Sequence, residues 1–259
     1  MTKYAWSVDD VILYNIAVGA TGTEQTWEEG LVALPTFGVL PAFSIVAPLV
    51  QAAGVSLDSA RVLHGEHELL VDGPVPTAAS VRNEGRVMGI YDKGHGDLVR
   101  VEVHTYIQGK ETPLFTNRYG IFVRGASGFG KSDDASPAPS PPSRRPDEVV
   151  RVQTHLSQAA LYRLCGDRNP IHIDPAAAAA AGLERPIMHG LCTLAVIARA
   201  VGGDAVQAVR GRFAGVLYPG ETIVVELWRD GNSVEIRALC EERRTPVVTN
   251  ATINLRSSS

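Results

Sequence analysis

Residues 162–175 of the chain read YRLCGDRNPIHIDP. Gly166 is suited to end a short helix, and Pro170 disfavours helical angles at the residue before it. The stretch therefore predicts an extended or turned loop on which Asp167 and His172 can converge. A carboxylate and an imidazole in a partly desolvated cleft can together take one proton from water and give another to carbon.

Asn169 lies between these two residues and is a candidate to orient either side chain or to hold the water molecule. The spacing alone is equally compatible with structural roles, with Asp167 as a cap beside a helix and His172 as an ordinary loop histidine. The loop thus makes Asp167 and His172 candidates for a catalytic pair, but its spacing does not decide between the catalytic and the structural interpretation.

A second polar stretch, RPIMHGLC at residues 185–192, leads into an apolar helix. The first amides of a helix have no intrahelical acceptor and carry the positive end of its dipole. Because Gly190 has no side chain, an oxygen can approach its N–H closely, which makes an oxyanion site for a carbonyl oxygen that gains charge during addition or elimination. The alternative is that Gly190 only permits tight packing.

Residues 126–148 are rich in proline and serine and nearly free of apolar side chains, which predicts an exposed linker. The halves on either side have the same outline. In each half an apolar helical segment comes first, at 34–53 in the first half and at about 189–201 in the second. Pro41 and Pro48 are expected to break or kink the first of these segments. Strand-like runs follow at 62–71, 79–91, 98–108 and 114–124, and at 209–216, 222–228, 233–241 and 246–255. A helix followed by an antiparallel meander, occurring twice, predicts a duplicated α+β unit whose two sheets pair into one layer.

The bulk composition is that of an ordinary globular protein, with 45% hydrophobic and 20% charged residues among 259. The net charge of -4 gives no basic surface for nucleic acid. No apolar run approaches the roughly 18–20 residues that span a bilayer, and the N-terminus lacks the apolar stretch of a signal peptide. Three widely spaced cysteines without a CxxC indicate neither a disulfide framework nor a zinc ribbon. A cytoplasmic protein without nucleic-acid or membrane partners is expected.

Two further patterns suggest ligands at first sight. Residues 64–68, HGEHE, resemble a metal cluster, but on a regular strand His64 and His67 point to opposite faces and cannot chelate together. The glycine-rich residues 125–130 follow a strand but lead into the linker instead of a helix, which is the wrong context for a dinucleotide loop. We therefore expect neither a metal nor a dinucleotide.

Residues 162–175 closely resemble a motif of the MaoC-like dehydratases, and within them of the R-specific enoyl-CoA hydratases of the hydratase 2 type. The resemblance covers nearly the whole chain. It includes 186–193 (PIMHGLCT), 212–215 (RFAG) with 218–222 (YPGET), and, in the first half, 34–37 (LPTF), 92–94 (DKG) and 124–130 (RGASGFG). Cys165 stands where the family usually has serine and Ile171 where it often has leucine, and neither touches the implied chemistry.

This resemblance implies a double hotdog fold of the α+β class, in which two antiparallel sheets each wrap around a central helix and pair into one extended sheet. It implies a degenerate N-terminal unit at 1–125 that binds the acyl chain, the linker at 126–148 and a catalytic unit at 149–259. It also implies the following roles: Asp167 and His172 as the catalytic pair, Asn169, Tyr162 and Arg168 as supporting residues, the Gly190 N–H as oxyanion donor, and His189 and Phe213 as substrate contacts.

The implied reaction is the reversible hydration of a trans-2-enoyl thioester to a (3R)-3-hydroxyacyl thioester, with neither a metal nor a redox cofactor. The carrier is CoA or an acyl carrier protein, and many small residues between Gly38 and Gly54 leave room for a bulky acyl chain. Two rivals remain: a thioesterase, which predicts a carboxylate on the helix as base, and a non-catalytic acyl-binding subunit. Exposed sheet edges and the resemblance both favour a homodimer.

Overall fold

The structure of the chain, a computed structural model, describes residues 1–55, 62–125 and 142–257. The strands in these ranges are β1 (Thr2–Trp6), β2 (Val62–Val71), β3 (Ala79–Asp92), β4 (Gly96–Ile107), β5 (Phe115–Arg124), β6 (Glu148–Gln153), β7 (Val206–Phe213), β8 (Thr222–Asp230), β9 (Ser233–Cys240) and β10 (Thr245–Leu255). The α-helices are α1 (Val8–Ala17), α2 (Thr23–Thr26), α3 (Leu40–Ala52), α4 (Gln158–Leu164), α5 (Pro175–Ala180) and α6 (Gly190–Gly202). Short 3-10 helices cover Pro35–Val39, Pro170–His172 and Gly203–Ala205.

All ten strands belong to one antiparallel sheet, in the order β1-β3-β4-β5-β2-β7-β10-β9-β8-β6. The order of the second five strands is that of the first five reversed, so each half of the chain forms the same unit. The two units join where β2 pairs with β7, in a register that includes Leu69 opposite Val209. One continuous sheet built from two α+β units confirms the predicted double hotdog.

The strands of each unit do not form the simple meander that the sequence suggested. In each unit, the first strand after the central helix pairs with the last strand of the unit. These pairs are β2 with β5 and β7 with β10. The three strands after it do run as a meander. These pairings place β2 and β7 at the middle of the whole sheet, where they bring the two units into contact.

Helix α6 lies at the centre of the larger apolar core. Eight consecutive residues, Leu191–Ala198, are buried on all sides of it, as its apolar composition predicts. It packs on β6, β7 and β10. Helix α3 has the corresponding position in the N-terminal unit, against β3 and β4, where Ala42, Val46 and Val50 contribute to a second core.

The prolines of the first half do not break helix α3. Pro41 lies in the first turn, where a missing N–H costs nothing, and Pro48 lies inside a helix that continues past it. With the preceding 3-10 turn, Pro35–Ala52 forms an 18-residue stretch of mean hydropathy 1.4, long and apolar enough to span a membrane, contrary to our expectation from the sequence. It is 56% buried and packs on the sheet, as a core helix does.

Several elements were not predicted. Strand β1 pairs with β3 at one edge of the sheet, and β6 pairs with β8 at the other. Strand β6 begins at Glu148, the last residue of the predicted linker, and β7 begins at Val206, three residues before the predicted strand. Most of the predicted linker, residues 126–141, lies outside the described residues. The boundaries between the units stay a prediction.

Candidate active site

The loop between α4 and α5 is folded by its own side chains. Gly166 leaves α4 with a φ of 137°, which residues with a Cβ rarely adopt. The Asp167 Oδ1 atom accepts the Asn169 N–H at 3.1 Å, and the Asn169 Oδ1 atom accepts the Ile171 N–H at 3.2 Å. These two successive Asx turns lead into the 3-10 turn that ends with His172. The loop is thereby held in the turned shape that the sequence predicts.

His172 has the protonation state of a base. Its side chain is buried, and that burial lowers its pKa below the ordinary value of 6.5. The Nδ1 atom lies 2.9 Å from the backbone oxygen of Ile187, to which its N–H donates. In the neutral ring this leaves the lone pair on Nε2, where it can accept a proton.

The structure brings Asp167 and His172 together. A carboxylate oxygen of Asp167 and one ring nitrogen each of His172 and His189 lie within 4.8 Å of one another. At such a separation one water molecule can hydrogen-bond to both members of the predicted pair, at about 2.8 Å from each. The arrangement can therefore hold a water molecule and exchange protons with it.

Two histidines and a carboxylate in one place also resemble a metal site. The rings of His172 and His189, however, are stacked, with 3.6 Å between centroids and 28° between planes. An imidazole binds a metal along a lone pair in its ring plane, so stacked rings direct their lone pairs side by side and not towards a common ion. This geometry favours proton transfer over chelation, and the expectation of no metal stays a prediction.

His189 joins the start of α6 to the catalytic loop. Its Nε2 atom lies 3.2 Å from the backbone oxygen of Asp167 and donates to it, and its ring lies 4.9 Å from that of Tyr162. Burial, and then the nearby His172, lower the pKa of His189 to about 3, so the ring is neutral. Only 1% of the residue is exposed. This position favours a supporting role over the direct substrate contact that the resemblance implies.

Gly190 is the first residue of α6, and its N–H has no hydrogen-bond acceptor within the described residues. A Cβ at this position would lie 3.1 Å from the ring of Phe213, closer than ordinary contact. Glycine therefore lets the Phe213 ring pack over the beginning of the helix. The amide therefore keeps a hydrogen available for an acceptor, and its role as oxyanion donor stays a prediction, as does the substrate contact of Phe213, which is partly exposed.

The predicted supporting residues are placed differently from one another. The Asn169 side chain holds the loop, as described above. Tyr162 is buried, with its ring 6.0 Å from that of Tyr14 and its hydroxyl without a partner among the described residues. Arg168 is exposed, and its side chain forms no hydrogen bond or ion pair within the described ranges, so the structure does not bring it to the pair.

Comparison with known proteins identifies the family of the chain. Residues 4–125 match the N-terminal domain of the MFE-2 hydratase 2 family, and residues 137–251 match the MaoC-like domain. An enoyl-CoA hydratase of Mycobacterium tuberculosis is 37% identical over 95% of this chain and 91% of its own length. The chain belongs to the hydratase 2 family of MaoC-like proteins.

Further relatives differ in how much of their own length the chain covers. The peroxisomal enoyl-CoA hydratase 2 of Arabidopsis thaliana is 33% identical, over 95% of this chain and 89% of its own. The crystal structure of a MaoC-like dehydratase from Phytophthora capsici superimposes with a TM-score of 0.87 at 28% identity, covering 99% and 95% of the two chains. This chain spans only about a third of the peroxisomal multifunctional enzyme type 2 of Mus musculus, to which it is 39% identical over 87% of its own length (32% of the mouse protein).

Two features that support the candidate site were not foreseen. The backbone oxygen of Ile187 fixes the tautomer of His172, but a backbone atom leaves no pattern in a sequence. Arg243 holds the buried carboxylate of Glu221 through Nε and Nη2, at 2.7 and 2.8 Å, and Glu221 accepts the Tyr218 N–H at 2.7 Å. This ion pair fixes the turn of the YPGET motif, and its members are too far apart in sequence to be recognised as partners.

The interpretation of His64 and His67 as residues on opposite faces is wrong. Strand β2 carries a bulge between His64 and Glu66, so that Gly65 has no pairing partner on β5. The extra residue shifts the alternation by one and turns both imidazoles to the same face. Their rings meet edge to face with 5.3 Å between centroids.

Proposed function

We propose that this chain hydrates trans-2-enoyl thioesters of CoA to (3R)-3-hydroxyacyl thioesters, and catalyses the reverse dehydration. The observation that carries the proposal is the meeting of the Asp167 carboxylate and the His172 imidazole with His189, the residue directly before Gly190 at the start of α6. Relatives that align with most of the chain are named enoyl-CoA hydratases, which supports the same reaction and an acyl-CoA substrate.

In the proposed mechanism the catalytic pair holds the water. One member of the pair, Asp167 and His172, takes a proton from water as its oxygen attacks the β-carbon of the enoyl group. The pair then gives a proton to the α-carbon from the same face, so the count of protons on the enzyme is restored. His172 suits this exchange because its Nδ1–H is held by Ile187, which leaves Nε2 as the single position that gains and loses the proton.

Gly190 supplies the second requirement of the reaction. Attack at the β-carbon sends an electron pair towards the thioester oxygen, where negative charge develops. The Gly190 N–H at the start of α6 can donate to that oxygen, and the helix dipole adds to the effect. These groups and water account for all the steps, so we propose that no cofactor takes part.

The rival functions fit the site less well. A thioesterase of similar fold would need a carboxylate on the central helix as base, but neither α3 nor α6 contains aspartate or glutamate. A non-catalytic acyl-binding subunit would not need a carboxylate and an imidazole around a water site. In the assay described below, each rival predicts a result different from that of a hydratase.

Three properties of the working enzyme are further proposals. We propose CoA as the carrier, since the names of the relatives specify it. A homodimer and a cytoplasmic location are retained from the sequence, although several relatives are named as peroxisomal proteins. Sedimentation of the purified chain at several concentrations tests the dimer, and fractionation of the source cells tests the location.

The reaction is tested by incubating the protein with crotonyl-CoA and with a longer trans-2-enoyl-CoA. A hydratase lowers the absorbance of the enoyl group, forms a 3-hydroxyacyl-CoA of R configuration and releases no thiol. Release of free CoA would instead identify a thioesterase. Binding of the thioester without any change in it would identify the non-catalytic subunit and overturn the proposal.

A further inference from the structure

The position of His172 depends on the short segment that leads into α6, residues 185–188. The Ile187 backbone oxygen accepts the Nδ1–H of His172 at 2.9 Å, and the Ile187 N–H donates in turn to the Ile171 oxygen at 3.2 Å. A change in the place of Ile187 therefore moves the candidate base or releases its Nδ1–H. Residues 185–188 lie between α5 and α6, outside any helix or strand, so contacts with other parts of the chain must hold them.

The turn of the YPGET motif holds the C-terminal end of this segment. The Met188 N–H donates to the Leu217 backbone oxygen at 2.8 Å, and both residues are buried. The Arg243 Nη2 atom donates to the backbone oxygen of Val216 at 2.7 Å, one residue before Leu217. Because the ion pair of Arg243 also fixes the turn after Leu217, the acceptor of the Met188 N–H is held on both sides.

The same turn contacts the N-terminal end of the segment. The Arg185 guanidinium lies 4.6 Å from the centre of the Tyr218 ring, within the range of a cation–π interaction. Arg185 is exposed, and within the described ranges its guanidinium has no carboxylate partner. Tyr218 is buried, and the Arg243 guanidinium lies 5.0 Å from the same ring. The exposed Arg185 side chain is thus attached to a ring that is itself held in place.

Pro186 makes the segment between its two attachments stiff. The proline ring fixes the φ angle of Pro186, and its Cδ atom restricts Arg185 to extended angles. With Arg185 held at one end and Met188 at the other, Ile187 has little freedom to turn. Its backbone oxygen is therefore kept pointing at the His172 ring.

We propose that Arg185 and Tyr218 are positioning residues for His172, since their contact holds the Ile187 oxygen where it keeps the proton on Nδ1 and leaves Nε2 free to react. The inference rests on the proposed function, because it treats His172 as the base. Neither residue needs to touch the substrate for this role. Without the contact the segment keeps the Met188 hydrogen bond but can turn about it, so the protein should stay folded while the His172 ring loses its single tautomer.

Kinetics with crotonyl-CoA separate positioning from substrate binding. Arg185→Leu should lower kcat about three- to tenfold and leave KM within about twofold, because a misplaced base slows the chemical step without weakening binding. Arg185→Lys keeps a cation at the ring and should recover most of the loss. A raised KM at unchanged kcat would mean that Arg185 binds the thioester itself and would overturn the inference, as would kinetics equal to those of the wild type.

Variants of Tyr218 test the other member of the contact. Tyr218→Phe retains the aromatic ring and should behave as the wild type, whereas Tyr218→Leu should match Arg185→Leu. The double variant Arg185→Leu/Tyr218→Leu should lose no more kcat than either single variant, because both act through one contact. Fully additive losses contradict the assignment. Should Tyr218→Leu fail to fold, the variants of the exposed Arg185 still decide the matter.

The tautomer of His172 is measured without turnover. Above pH 6.5 the ring is neutral, because burial lowers its pKa. Nitrogen-15 NMR of the imidazoles, with His172→Gln to identify the resonances, should show the proton on Nδ1 in the wild type and a mixture of tautomers in Arg185→Leu. A wild-type tautomer in Arg185→Leu overturns the inference. Failure of the wild type to hydrate crotonyl-CoA overturns the proposed function instead, whatever the tautomer.

Arg82→Leu is the matched control for both measurements. The Arg82 guanidinium lies 4.1 Å from the centre of the Tyr106 ring, in the N-terminal unit, so the variant removes the same kind of contact from another part of the protein. We expect it to change neither kcat nor the tautomer of His172. Equal effects of Arg82→Leu and Arg185→Leu would reduce the effect of Arg185 to a general loss of stability and contradict a positioning role.

Discussion

The imidazole rings of His172 and His189 are stacked, with 3.6 Å between their centroids. His189 is neutral, because burial holds its pKa at about 3. A charged ring in this position would repel the proton that His172 has to accept. The stacked, uncharged ring of His189 thus orients the ring of His172. The protonation of His172 then depends on the water molecule and on Asp167.

The first prediction concerns the catalytic pair. Asp167→Asn and His172→Gln should each lower the rate of crotonyl-CoA hydration by at least about 100-fold, because each removes a group that exchanges protons with water. Asp174→Asn is the matched control. Asp174 caps α5 through an Oδ1 bond to the Ala176 N–H, a role that asparagine also fulfils, so its rate should be unchanged.

Thermal unfolding is measured on the same three proteins. A variant with a normal unfolding temperature and a wild-type rate would remove its residue from the proposed mechanism.

The second prediction concerns the start of α6. Gly190→Ala places a Cβ against the Phe213 ring and should displace either the ring or the amide, which lowers kcat by roughly 10- to 100-fold. Adding Phe213→Leu should relieve the contact and restore part of the loss. Steady-state kinetics of the single and double variants checks this, and an alanine variant with wild-type kcat would show that the amide is not positioned by this packing.

The third prediction concerns the ion pair beneath the YPGET turn. Arg243→Leu leaves the buried Glu221 carboxylate without its partner and should lower the free energy of unfolding by about 3 kcal/mol. The matched control is Arg229→Leu, whose ion pair with Glu148 has side chains 41% and 49% exposed, so that a loss of less than about 1 kcal/mol is expected. Denaturant titration of the two variants compares them, and equal losses would contradict the assignment of the pair as buried.

The fourth prediction concerns the dependence of stability on pH. The pKa of His189 is lowered from 6.5 to about 3, so its neutral form stabilises the fold above pH 6.5, and this contribution is lost as the pH falls from 6.5 towards 3. His189→Phe keeps a stacked ring but cannot be protonated. Over this range the variant should lose stability less steeply than the wild type, by roughly 1 kcal/mol per pH unit.

Urea unfolding at a series of pH values gives both slopes. His155→Phe, at an exposed position, should keep the wild-type slope, and equal slopes for His189→Phe and the wild type would show that His189 is not protonated on unfolding.

Much of the fold follows from local patterns. The bounds of β2 agree with the sequence prediction at both ends, and the C-terminal one follows from the turn residues Asp72, Gly73 and Pro74 directly after it. Helix α6 is equally evident, since its residues are apolar on every side. The edge strands β1 and β6 were missed because they are short and pair on one side only, so few of their residues are buried.

The candidate site likewise has features that the sequence predicts and features that only the folded chain shows. Asp167 and His172 are predictable since both lie on one loop whose Gly and Pro residues dictate a turn. The stacking of His189 on His172 depends on the approach of two segments that are distant in sequence. The bulge at Gly65 depends on pairing with β5, which no pattern within β2 specifies. Interactions of this second kind can be read only from the folded chain.

The pairing of β2 with β7 bears on how the gene can be divided. Backbone hydrogen bonds across that seam, as well as the connecting peptide, hold the N-terminal and C-terminal units together. Two separately encoded polypeptides ending and starting within 126–141 would each expose the same kind of strand edge to the other. Such halves can associate as a heterodimer, and one half can then diverge in sequence while its mate keeps the reacting groups.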